Sequence, residues 1–215
     1  MLVLDVTLQE KIDLRIRTVV YQNPIGFGNI GAEMFRLASP LGMNFIAFDP
    51  FAGSSQASDL GVDLVDLNRV FAQSDFLAIN CPLNADTYHL VNAERLASMK
   101  TTAFLINTAR GPIVDQVALT KALQEENLAG AGLDVFEVEP PYVKDPLLAL
   151  DNVILTPHAL CWTDQCFAGI GAANVASVLD LRAGYLPVGM VNPEVANLEG
   201  FEKKIRSYGA KAISN

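Results

Sequence analysis

The chain has 215 residues, 51% of them hydrophobic, with a formal charge of −9 and a pI near 4.6. That apolar content supports a packed core rather than a disordered tail, and the acidic balance argues against a surface that tracks nucleic-acid phosphates. Cys81, Cys161 and Cys166 are too few and too scattered for a disulfide framework or a four-ligand zinc site. With no export signal and no apolar run near the roughly 18 residues that span a bilayer, the expectation is a cytoplasmic protein with no membrane partner and no metal.

Residues 2–16 alternate apolar and other side chains with a period of two, which predicts extended structure. The strand expected to lead into the first glycines reads TVVYQNPI, Thr18 to Ile25. Its Gln22, Asn23 and Pro24 conflict with a central strand, so a short, distorted or displaced strand is expected. Gly26, Gly28 and Gly31 then form GxGxxG, an apolar helical pattern runs to Leu41, and Asn44 to Phe48 reads as a buried strand ending on Asp49. In that setting Gly26 permits a tight turn, Gly28 lets the backbone approach a pyrophosphate, and Gly31 lets the helix sit close to the sheet. The phosphates would meet unpaired amides at the positive helix end. Asp49 stands roughly 20 residues past the glycines, where a carboxylate accepts both ribose hydroxyls and repels a 2′-phosphate. The expected cofactor is therefore NAD rather than NADP.

Pro50 to Gly61 reads as a small-residue loop with a short polar segment, and Asp66 to Gln73 as a capped helical turn. Asp75 to Asn80, Ala103 to Asn107, Ala131 to Asp134 and Val153 to Thr156 are short apolar runs suited to buried parallel strands. Helices are expected at Asn92 to Met99, Asp115 to Asn127 and Thr163 to Ala183, with a basic surface helix or frayed tail in FEKKIRSYGAK. Repeated strand and helix units predict an α/β fold, a Rossmann-type doubly wound parallel sheet with ligand groups beyond the strands' carboxyl ends.

Three polar residues fall at such ends: Arg110 in NTARG, Glu139 in DVFEVEP and His158 in TPHAL. Arginine presents a planar fork that matches a carboxylate, and histidine exchanges a proton near neutrality. A neighbouring carboxylate would orient the imidazole and stabilise its charged form. With a nicotinamide close by, the set would interconvert a 2-hydroxy acid and a 2-oxo acid by hydride transfer. Glu137 and Asp134 compete with Glu139 for the carboxylate role, and spacing does not choose among them. Each residue also has a plain reading, Arg110 as a surface charge and His158 as a turn residue. His89 reads as structural, and Cys81, with no adjacent histidine, as part of a cofactor wall rather than a nucleophile.

GFGNIG, the strand ending in Asp49, CPLNADTYHLVN, FLINTARGPIVD, AGLDVFEVEPP and NVILTPHA, six motifs in order over about Ile25 to Val191, together resemble the NAD-binding domain of the D-isomer-specific 2-hydroxyacid dehydrogenases. The resemblance implies that Arg110 holds the substrate carboxylate, His158 is the general acid/base and Glu139, rather than Glu137, is its partner. It also implies cofactor contacts from Asn29, Ile30, Cys81, Pro82, Thr108, Ala109 and Asp134, besides Asp49 and the glycines, with Asp134 near the nicotinamide amide. Family members usually dimerise through this domain, so a homodimer acting on a small-molecule acid is expected.

The chain departs from the family pattern at its start. The family carries a substrate domain of about a hundred residues before the glycine turn, whereas 25 residues precede Gly26 here. The expected organisation is an altered segment at 1–24, the NAD-binding domain at 25–183 and a C-terminal extension at 184–215. Leu160, Cys161 and Trp162 replace small residues common after the histidine, and Trp162 is expected to reshape the pocket or pack on the absent domain. Three states are consistent with this pattern: an active dehydrogenase completed by another wall, a fragment that binds cofactor without turnover, and a non-catalytic NAD(H)-sensing protein resembling the family's corepressor branch.

Overall fold

The computed structural model describes residues 16–19, 29–50 and 52–212. The expected cofactor residues Gly26 and Gly28, and the period-two stretch before Ile16, lie outside them. The chain divides into two compact units, 1–160 and 161–215.

The first unit is built on a seven-stranded parallel sheet. Its strands are β1 (Ile16–Val19), β2 (Phe45–Phe48), β3 (Val62–Leu64), β4 (Phe76–Ile79), β5 (Phe104–Asn107), β6 (Gly130–Leu133) and β7 (Val153–Leu155), in the spatial order β3-β2-β1-β4-β5-β6-β7. This is the doubly wound order, with the direction of winding reversing between β1 and β4. The described entry strand is Ile16–Val19, which begins two residues before the expected Thr18. Thr18 pairs with Ala47 on one side and Ala78 on the other. A strand bonded on both edges needs its backbone donors, and IRTV supplies them; of the expected strand, residues 20–25 lie outside the described ones.

Between the strands run α1 (Asn29–Ala38), α2 (Ser54–Asp59), α3 (Leu67–Gln73), α4 (Ala93–Ser98) and α5 (Gln116–Gln124). Three of them start on a side chain that accepts from an otherwise unpaired amide: Asp66 from Arg69, Asn92 from Arg95 and Asp115 from Ala118. The apolar pattern expected to run helically to Leu41 passes from α1 into a short 3-10 turn at Ser39–Leu41, closed by left-handed Gly42. The sequence reading did not find β3, because VDL is three residues long, too short a run for its alternation to register.

Alternation along β2 shows why the sheet is covered twice. Phe45 and Ala47 pack with Phe35 of α1 and Ala57 of α2, whereas Ile46 and Phe48 join the larger core of Val70, Phe71, Leu77, Leu96, Leu105, Leu119 and Leu123. Successive side chains of a strand point to opposite faces, so both faces of β2 need helices. Phe35 meets Phe45 edge to face at 5.2 Å. Farther along, Phe104 and Ile154 stay exposed, Ile154 by 74%.

The second unit holds α6 (Asp164–Ala183) and α7 (Glu199–Ala212), which pack on each other. Thr163 caps α6, left-handed Gly184 ends it, and a Cβ on Gly209 would stand 2.9 Å from the Ala183 carbonyl oxygen. The compact units part before α6, and the expected boundary at 183/184 falls between α6 and α7. Against the expectation that no segment could span a bilayer, α6 is long and apolar enough by length and composition, with a hydropathy of 1.2. Its alanines and its spaced Phe167, Ile170, Val175, Val178, Leu179 and Leu181 raise the mean without forming one continuous run of large apolar side chains. Trp162 lies in this unit, with its ring packed against Phe167.

Candidate active site

Beyond β5 the chain turns through Thr108, Ala109 and Arg110. Buried Asn107 stitches that turn: its Nδ2 donates to the Arg110 carbonyl at 2.9 Å and its Oδ1 accepts from the Ala109 amide at 3.0 Å. Gly111 follows where nothing larger fits, since a Cβ there would stand 1.8 Å from the Phe136 carbonyl oxygen. The turn bearing Arg110 thus rests directly on the backbone leading to Glu139. Arg110 itself is exposed, and its guanidinium donates to the Ala109 carbonyl.

His158 lies beyond β7 in the left-handed region, φ 55°, uncommon for a residue with a side chain. Its Nδ1 is 2.8 Å from Glu139 Oε2, and Glu139 Oε1 accepts from the Phe136 amide at 3.0 Å. The turn around His158 is held by Asp134. One carboxylate oxygen accepts from Thr156 Oγ1 at 2.6 Å and the Ala159 amide at 3.0 Å, and the other from the Leu160 amide at 3.3 Å. Asp134 is 5% exposed, so a carboxylate in that position requires such donors. A carboxylate offers about four acceptor sites, which leaves room for one further donor.

The competing carboxylate has a different partner. Glu137 Oε1 is 2.7 Å from His89 Nε2, while its Oε2 accepts from the Gln116 amide at 3.1 Å. The structure therefore separates the candidates that spacing could not: Glu139 to His158, Glu137 to His89, and Asp134 to the turn. His89, read from the sequence as structural, is the partner of Glu137.

The charges respond to these contacts. Burial pushes the Glu139 carboxyl up, but the His158 hydrogen bond, the Phe136 amide and the charges of His158 and Arg110 outweigh it and hold the group below the ordinary value. Burial likewise pushes Asp134 up, and Thr156, the Ala159 and Leu160 amides and the His158 charge bring it below normal. Both groups bind protons more weakly folded than unfolded. Their contribution to stability is full above the unfolded values of roughly 4 and is lost as pH falls through the folded ones. Urea midpoints measured from pH 7 to pH 3 should fall with acid, and Glu139→Gln should flatten the slope below pH ~4.5. An unchanged slope would remove Glu139 from the acid-sensitive set. Burial alone raises the Cys81 thiol, to about 12, which disfavours a nucleophilic thiolate.

The carboxyl edge of the sheet suits a dinucleotide. α1 begins beyond β1 at the winding reversal with no acidic residue in its first turn, and Gly31 is buried there. Asp49 follows β2 and is buried, Cys81 is buried beyond β4, and exposed Pro82 and Thr108 and half-buried Ala109 follow β4 and β5. Asn80 Nδ2 reaches Met34 Sδ of α1 at 3.8 Å, so the β4 end and α1 meet. Ile30, on the first turn, is 70% exposed. The sequence reading missed Asn107, Thr156 and Gly111 as organisers of the site. Their signal was present, as a polar residue ending or following an apolar strand and a glycine in the turn beyond one.

Fold and site define a dinucleotide-binding α/β domain with an imidazole–carboxylate pair and an arginine at its carboxyl edge. A family model for the D-isomer specific 2-hydroxyacid dehydrogenase NAD binding domain matches residues 17–159, and the chain belongs to that family. It is 41% identical to a glyoxylate reductase of Korarchaeum cryptofilum over 83% of this chain and 54% of the relative. It is 42% identical to a hydroxypyruvate reductase of Thermotoga maritima over 72% of this chain and 50% of the relative. The NAD-complexed D-isomer specific 2-hydroxyacid dehydrogenase of Lactobacillus delbrueckii ssp. bulgaricus superposes with a TM-score of 0.72 at 29% identity, covering 81% of this chain and 56% of that one. The chain spans about half the length of these relatives.

Proposed function

We propose that this chain supplies the NAD-binding and acid/base half of an oxidoreductase that interconverts a D-2-hydroxy acid and a 2-oxo acid. The observation that carries the reading is the His158–Glu139 pair beside Arg110 at the carboxyl edge of the sheet. Because Nδ1 is engaged by Glu139, Nε2 is the ring atom left to meet substrate. In oxidation Nε2 takes the proton from the C2 hydroxyl as the C2 hydride departs; in reduction it returns that proton to the new alkoxide. Glu139 favours the charged imidazole and fixes its ring, and Arg110 grips the substrate carboxylate through its planar fork. A bound nicotinamide supplies the hydride acceptor or donor.

Asn29, Ile30 and the glycines Gly26, Gly28 and Gly31 would hold the pyrophosphate, and Asp49 the ribose. Cys81, Pro82, Thr108 and Ala109 would line the dinucleotide, and the spare acceptor site of Asp134 would face the nicotinamide amide. The carboxylate of Asp49 favours NAD over NADP. Asp49→Ala should lower NADH affinity by about tenfold to a hundredfold, the ~1.5–3 kcal/mol of hydrogen bonds to a charged group, and narrow the gap to NADPH. Titration calorimetry with both cofactors checks this, and an unchanged preference would refute the ribose contact.

Calorimetry with NADH, followed by turnover on a panel of 2-oxo acids, tests the reading as a whole. Binding with turnover supports it. Binding without turnover leaves the cofactor site standing and refutes catalysis by the isolated chain; no binding refutes both. The relatives described above are named as reductases and dehydrogenases, and no observation favours the sensing alternative.

A further inference from the structure

Both histidines of the chain sit in the left-handed region, His89 at φ 49° and His158 at φ 55°, and each meets one of two glutamates separated by Val138. The His158 pair is accounted for by acid/base chemistry. The His89 pair is not, yet it is equally close and better shielded, with side-chain exposures of 31% and 26% against 44% and 37%.

The surroundings of Glu137 indicate its role. Its Oε2 accepts from the Gln116 amide, in the first turn of α5, while its own amide donates to Gln116 Oε1 at 3.0 Å. Gln116 Nε2 donates in turn to Asp145 Oδ2 at 2.7 Å, and Asp145 caps the short 3-10 helix Pro146–Ala149. On the other side, the His89 amide donates to the Pro112 carbonyl at 2.9 Å, next to Gly111. Glu137 therefore joins the loop after β4, the start of α5 and the segment after β6. That segment has no ladder of its own: 134–140 forms bends and irregular backbone between β6 and the 3-10 helix. Buried Val135 and Phe136 and the bonds of Asp134 anchor its start, but beyond Phe136 the side-chain bonds are those of Glu137 and of Glu139, and the latter form the proposed acid/base pair.

We propose that Glu137, latched by His89 and Gln116, is a positioning residue that fixes the segment 136–139 so that Glu139 meets His158 and the Phe136 carbonyl seats against Gly111 beneath Arg110. The inference rests on Glu139 being the partner of His158 in the proposed hydride-transfer reaction. Its test does not require turnover.

The side-chain carboxyl of Glu139 is followed by carbon NMR across an acid titration, its signal identified by its disappearance in Glu139→Gln. In Glu137→Ala the Glu139 titration should shift upward toward the ordinary carboxylate range, because Glu139 is no longer held against His158. In Glu137→Gln, which keeps a hydrogen-bonding group at the position, the shift should be smaller. His89→Asn tolerates the left-handed backbone but cannot span to Glu137, and it should shift Glu139 in the same direction. NADH affinity, measured alongside, should be unchanged in all three. An unaltered Glu139 titration in folded Glu137→Ala, even with a lowered melting temperature, would show a purely structural role and overturn the proposal. If Glu137→Ala does not fold, an unaltered titration in His89→Asn overturns it instead. Failure of the unaltered protein to bind NADH would count against the proposed function and leave the latch to be judged by the titration.

Discussion

In a catalytically competent form of the proposed enzyme, His158→Ala should lower turnover of a 2-oxo acid by about 10²–10⁴-fold, the range contributed by a positioned acid/base, while NADH affinity should stay close to that of the unaltered protein. The asymmetry follows from where His158 stands. It lies beyond β7, and its recorded side-chain partner is Glu139, whereas the expected dinucleotide contacts come from the ends of β1, β2, β4, β5 and β6. Removing the imidazole eliminates proton exchange at Nε2 without taking a group from those contacts. The backbone adds a second cost, because alanine is poorly suited to φ 55°. His158→Asn therefore serves as the companion variant: it tolerates that conformation and still lacks the base. Single-turnover kinetics with parallel NADH titrations check both. Equal losses of turnover and cofactor affinity would make His158 a structural turn residue and remove the acid/base assignment.

Gly111→Ala should be the most damaging of the small substitutions. Its added Cβ would stand 1.8 Å from the Phe136 carbonyl oxygen, 1.9 Å from the carbonyl carbon and 2.5 Å from the Glu137 amide. These are backbone atoms, so no side chain can swing away. Either the turn after β5 or the segment after β6 must move, and overpacking of this kind costs about 1–3 kcal/mol or more. Because Arg110 precedes Gly111 and Glu139 follows Phe136 by three positions, the displacement separates Arg110 from the His158–Glu139 pair. The melting temperature and the Glu139 carboxyl titration should both change. Gly132→Ala is the control, since a Cβ there meets only Ile106 Cγ1 at 4.0 Å. Equal effects at the two glycines would remove the argument from close approach.

Much of this arrangement was legible in the residues alone. Apolar runs such as FLIN and GAGL announce buried strands, and the first polar groups beyond them, in NTARG and TPH, announce the carboxyl edge. Asp66, Asn92 and Asp115 marked helix starts before any packing was known, because capping is a local interaction between a side chain and an amide a few residues on.

Other features depended on contacts distant in sequence. In a regular strand Glu137 and Glu139 would share a face, as residues two apart do, and neither could be preferred from spacing. The bends after β6 turn them toward different histidines, 48 and 19 positions away. Asp134 looked like a cofactor ligand because it ends a strand; that it also holds the turn bearing His158 depends on amides 25 and 26 residues later.

The amino-acid sequence thus determined most of the strands, the helix caps and the residue types available for proton exchange, because each arises from a side chain acting on its near neighbours. Which glutamate joins which histidine, and why position 111 admits only glycine, were decided by the tertiary structure. Those relations exist only once parallel strands bring remote turns to the same edge, where a carboxylate's partner is set by distance rather than by order along the chain.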